Sequence, residues 1–128
     1  MSYRKDFSAS LLALTLATAS LGLTGQAFAN ARLLSSTPAA NEMAMPPPTE
    51  LRLKFSEGLE LKFTKVKLTG ANNVLVKTGP AKLDPKDNTL LIVPLIAPLT
   101  DGKYKVDWQA LSTDGHKTKG TYSFDSMQ

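Results

Sequence analysis

Beyond residue 30, apolar and polar side chains alternate along most of this chain. A period of two is the signature of strands with one covered face. Leu51, Leu53 and Phe55 alternate with Arg52 and Lys54, and Val66 and Leu68 alternate with Lys65 and Lys67. Tyr104, Val106, Trp108 and Ala110 alternate with Lys103, Lys105, Asp107 and Gln109 in the strongest such pattern, over 102–111. Tyr122 and Phe124 repeat it near the end, and a short opening strand is expected over 32–36. Residues 90–93, Leu-Leu-Ile-Val, are apolar without interruption, which predicts a strand covered on both sides. A one-residue slip would carry the lysines into the core, so alternation also fixes the register. It places Leu53, Phe55, Val66, Leu68, Ile92, Val106, Trp108, Tyr122 and Phe124 inside.

Turn chemistry separates these runs. Pro46-Pro47-Pro48 cannot sit in a central strand and forms a stiff connector. Clusters at 70–73, 84–88 and 100–102 carry Gly, Asn, Asp and Pro, which accept tight backbone geometry. Nothing in the mature part repeats with a helical period over ten or more residues. About seven short strands in roughly 100 residues predict an all-β fold, a Greek-key sandwich or barrel.

The N-terminus reads differently. Arg4 and Lys5 precede an apolar stretch from Leu11 to about Leu23, followed by Ala27-Phe28-Ala29, the three-part pattern of a secretory signal. The stretch is shorter than the roughly 18–20 residues of a membrane span. Residues 1–29 are therefore expected to be cleaved, leaving a single domain over 30–128 in the periplasm. A second site, Ala29-Asn30-Ala31, would instead expose Arg32.

Loss of Arg4, Lys5 and Asp6 lowers the formal net charge from +4 to +3. The lysines lie at alternate strand positions rather than in a run, which reads as solvated outer faces, and argues against nucleic acid as a partner. The chain has no cysteine, so an exported fold must rely on its core.

Chemistry concentrates in one short run, Ser112-Thr113-Asp114-Gly115-His116, just after the strongest strand. His116 is the sole histidine, so any reaction that needs imidazole has one place to occur. The same run is also a good tight turn between two strands, and spacing alone does not separate the two readings. Trp108 shares its inward phase with Tyr104 and Val106 and is expected in the core. Ser112 and Ser123 lack the pattern of a nucleophile elbow.

Asn30-Ala-Arg-Leu-Leu-Ser-Ser-Thr-Pro-Ala39, Leu53-Lys-Phe-Ser-Glu-Gly-Leu59, Pro98 to Ala110 with its Tyr-Lys-Val-Asp-Trp core, and the Asp-Gly-His at 114–116 together resemble the CopC family of exported copper-resistance proteins. The resemblance covers most of the mature chain, in order and at similar spacing. It implies a cupredoxin-like, Ig-like β-sandwich that binds and carries copper and turns over no substrate.

The resemblance also implies a Cu(II) site built from an N-terminal histidine and an Asp-x-His pair. Nitrogen and oxygen donors in a tetragonal arrangement suit Cu(II). Asp114 and His116 match the pair. Asn30 stands where the first histidine should be, so only its α-amine remains from that half. Glu57 matches a carboxylate close to the site that would orient a ligand or water by hydrogen bonding; it reads equally as a surface carboxylate at a strand end. The methionine-rich Cu(I) loop of many members corresponds to 69–83, which holds no methionine here, so Cu(II) is expected rather than Cu(I). Met43 and Met45 lie elsewhere, beside the proline run, where exposed methionines are ordinary.

The leading expectation is thus a periplasmic protein of copper resistance or homeostasis. It would sequester Cu(II) or pass it to an inner-membrane copper transporter or another envelope copper protein. The alternative is a metal-free interaction module that keeps the fold and has lost the site. A copper oxidase would need two imidazoles besides the terminal amine, so no enzyme is expected.

Overall fold

The computed structural model describes residues 30–128. The expected signal segment, residues 1–29, lies outside the described residues. Among the described residues, nine strands form two sheets. They are β1 (Leu33–Thr37), β2 (Met43–Ala44), β3 (Glu50–Phe55), β4 (Lys65–Thr69), β5 (Leu75–Val76), β6 (Lys82–Asp84), β7 (Asp87–Pro94), β8 (Gly102–Leu111) and β9 (Lys117–Ser126). One sheet has the order β1-β3-β7-β6 and the other β2-β9-β8-β4-β5. The helical pieces among the described residues are two three-residue 3-10 turns, Leu61–Phe63 and Ala71–Asn73. The all-β sandwich expected from alternation is the observed fold, and the chain crosses repeatedly between its sheets.

Most strands follow the predicted phase. β8 spans the expected residues, with Tyr104, Val106, Trp108 and Ala110 buried and Lys103, Lys105 and Gln109 exposed. Leu53, Phe55, Leu68 and Phe124 are in the core, while Val66 and Tyr122 are half-buried and pack against it. Trp108 meets the Phe55 ring edge-on at 5.1 Å between centroids, joining the two sheets.

Ile92 is buried, as expected of a run covered on both sides. Yet it lies outside the core cluster, which takes its neighbours Leu91 and Val93 instead. A continuously apolar run has no phase to read, so it does not tell which residues face inward. By register Ile92 sits between Arg52 of β3 and Lys82 of β6, whose aliphatic stems can cover it.

The lysines, spread in sequence, are gathered in space. Register aligns Lys65 with Gln109 and Lys119, Lys67 with Asp107 and Thr121, Lys105 with Ser123, Lys103 with Asp125, and Lys117 with Leu111. Since β4, β8 and β9 are neighbours, six lysines share the outer face of one sheet. Its carboxylates are Asp107, 3.8 Å from Lys105, and Asp125, 3.6 Å from Lys103. Alternation on adjacent strands in register makes a patch out of residues that never adjoin in sequence.

Candidate functional site

The β8–β9 hairpin closes through Thr113-Asp114-Gly115-His116, and the buried Ser112 organises this turn. Its N–H donates to the His116 carbonyl at 2.9 Å, and its own carbonyl accepts the Gly115 N–H at 2.9 Å. Its hydroxyl accepts the His116 N–H at 3.2 Å and donates to Asp114 Oδ1. Gly115 takes a φ of 93°, in the left-handed region that a side chain disfavours, which lets the turn close.

Asp114 Oδ1 also lies 3.1 Å from His116 Nδ1. The Ser112 hydroxyl first, and the His116 ring second, hold the Asp114 carboxyl below the usual carboxylate range. Asp114 is therefore an anion beside an imidazole. Two donors bound side by side at about 2.0–2.1 Å from one metal ion stand about 2.9 Å apart. The observed spacing suits a hydrogen bond and needs little change for a shared ion.

Three further contacts bring the start of the described chain to this hairpin. The Thr118 hydroxyl donates to the Ala31 carbonyl at 2.8 Å, two residues from His116. The Ser56 hydroxyl donates to the Asn30 carbonyl at 3.3 Å and accepts the Arg32 N–H at 2.9 Å. Ala31 itself is fully buried. The loop after β3 is pinned to the same turn, because the Thr113 N–H donates to the Gly58 carbonyl at 2.9 Å and Leu59 bridges to Ser112. Asn30, Glu57, Asp114 and His116 thus belong to segments tied together at one end of the sandwich.

Side chains converge less than segments do. Asp114 and His116 touch, but no three His, Asp or Glu side chains form a metal-sized group among the described residues. Glu57 does not complete a trio with them. Ser112, Ser56 and Thr118 escaped the sequence reading as organisers. Ser112 carried a legible signal: a serine two residues before an aspartate and four before a histidine is a turn-forming pattern. Ser56 and Thr118 act across 26 and 87 residues, where no local signal exists.

A family profile described as the CopC domain matches residues 33–126. The chain belongs to the CopC family. Among CopC relatives, it is 46% identical to protein YobA of Escherichia coli K12 over 112 residues, covering 88% of this chain and 90% of that protein. It is 38% identical to copper resistance protein C of Escherichia coli over 114 residues, covering 81% and 86%. The crystal structure of PcoC, a methionine-rich copper resistance protein from Escherichia coli, superposes with a TM-score of 0.70 at 31% identity, covering 78% of this chain and all of that one. The CopC sandwich is therefore shared, while residues 69–83 here contain no methionine.

Proposed function

We propose that this protein is an exported, periplasmic copper-binding protein of copper resistance or homeostasis. It holds Cu(II) through the α-amine of Asn30, the Asp114 carboxylate and the His116 imidazole. The observation that supports this most is the tying of the Asn30–Ala31 backbone to Ser56 and Thr118, beside a hairpin that presents an ionised Asp114 against His116. Glu57, on the adjoining loop, is placed in the outer ring of this reading, orienting a ligand or water. Names of relatives such as copper resistance protein C give the cargo its identity. The role is binding and carrying, without catalysis. The recipient is an inner-membrane copper transporter or another envelope copper protein. The lysine-rich face, which reaches Lys117 beside His116, would favour an acidic docking surface on it.

The second reading is a metal-free interaction module. Asn30 favours it, since its amide replaces the imidazole that the family resemblance puts first. The single tryptophan separates the two. Trp108 pairs with Gly120, two residues beyond Thr118 and its contact to Ala31, so Cu(II) at this corner would quench its emission. Quenching of the exported protein is expected to saturate at one Cu(II) per chain. It should weaken as pH falls, because amine and imidazole must shed protons to bind. Asp114, already held ionised, adds little to that dependence. Emission unchanged at stoichiometric Cu(II) would favour the metal-free module.

A further inference from the structure

The described residues contain three methionines, Met43, Met45 and Met127, and all are exposed, at 50%, 61% and 37%. A single exposed methionine is ordinary, but three that the fold gathers at one edge make a set of soft donors. β2 pairs with β9 in parallel, with Met43 opposite Asp125 and Ala44 opposite Ser126. The pairing continues through the Asp125 N–H to the Glu42 carbonyl at 2.8 Å and the Met127 N–H to the Ala44 carbonyl at 3.0 Å. Ala44 and Ser126 are buried and point inward. Alternation then sends Met43 and Met127 to the outer face, and exposed Met45 follows Ala44 at the same edge.

Strand geometry gives the spacing. A rise of about 3.3 Å per residue and a strand separation of about 4.8 Å put these Cα atoms roughly 5–8 Å from one another. Each side chain is unbranched with three rotatable bonds. Three sulfurs around one ion, at bonds of about 2.3 Å, need to lie about 4 Å apart, which is within reach. Asp125 stands on the same face, paired with Lys103 at 3.6 Å, so the local charge is close to balanced.

We propose that Met43, Met45 and Met127 form a trithioether site for a soft monovalent ion, Cu(I), at the β2–β9 edge. Thioethers are soft donors that favour Cu(I) over Cu(II). The choice of ion rests on the copper reading above, but the site does not share its residues. β9 runs from Lys117, next to His116, to Ser126, next to Met127. At the strand rise, the two sites stand about 30 Å apart. Sequence spacing hides the cluster, because Met127 lies more than eighty residues from Met43 and only the parallel pairing joins them.

The test uses exported protein with methyl-labelled methionine, titrated anaerobically with Cu(I) against the chelator bicinchoninate. One Cu(I) per chain should be withdrawn from the chelator, and the methyl resonances of all three methionines should shift together. A Met43→Leu/Met45→Leu/Met127→Leu variant, conservative in volume and altered only at exposed positions, should bind Cu(I) at least tenfold more weakly. Thr121→Val, an exposed change elsewhere on β9, should leave Cu(I) binding unchanged. Equal Cu(I) competition by parent and triple variant, or methyl resonances that stay in place or move at one methionine only, would overturn the proposal. Failure of the Cu(II) site appears separately, as a Cu(II) response that His116→Ala does not alter.

Discussion

Asn30→His, in protein prepared with residue 30 as its N-terminus, is expected to strengthen Cu(II) binding by well over tenfold. The proposed site has an α-amine, a carboxylate and one imidazole, with water in the remaining place. A histidine at that N-terminal position adds a second imidazole that closes a chelate ring with its own amine. Tenfold corresponds to about 1.4 kcal/mol, which one good nitrogen donor to Cu(II) exceeds. The gain depends on convergence, since the new ring helps only where the chain start already faces Asp114 and His116. Hydrogen bonds from Ser56 to the Asn30 carbonyl and from Thr118 to the Ala31 carbonyl hold it near them. Isothermal titration of both proteins, with the N-terminus verified by mass, reads the ratio. Equal affinities would mean that the first residue does not reach the metal.

The largest loss of stability is expected at Gly120. It pairs with Trp108 across β8 and β9, and a Cβ there would stand 2.6 Å from Cζ2 and 2.8 Å from Cε2 of the indole. The ring cannot simply retreat, because it packs edge-on against Phe55, itself buried between the sheets. Gly120→Val therefore drives the ring into the core or separates the strands, at a cost of about 1–3 kcal/mol. For a domain near this size each kcal/mol lowers Tm by roughly 4–8 °C. Thr121→Val, on the exposed face of the same strand, should change Tm little. A Gly120→Val protein that melts with the parent would show that the indole is not seated over Gly120.

Much of this fold was legible because the strands of a sandwich with one wet face announce themselves by alternation. β8 could be read to its ends, since every second residue from Tyr104 to Ala110 is apolar. β9 could not. Its first half, Lys117-Thr-Lys-Gly120, carries no apolar alternation, because its inward positions are Thr118, which holds the Ala31 carbonyl, and Gly120, which makes room for Trp108. β2 and β5 are two residues long and have no period at all. Ile92 is buried as expected, but on the face of its sheet away from the main cluster, because an unbroken apolar run has no phase to read.

The candidate site was half legible. Asp114 and His116 stand close in sequence and meet in space at 3.1 Å. The contributions of Ser56 and Thr118 arise from tertiary contacts, and so does the gathering of lysines on one face and of methionines at one edge. Residue type and local spacing show what a segment can do. Strand pairing decides what it does it with.

The most direct test of the central claim is isothermal titration with Cu(II), at neutral pH, of protein beginning at Asn30 and of its His116→Ala variant. The account predicts one Cu(II) site per parent chain and loss of that site in the variant, with Asp114 unable to retain the ion on its own. Identical binding by the two proteins, or no stoichiometric binding by the parent, would contradict it.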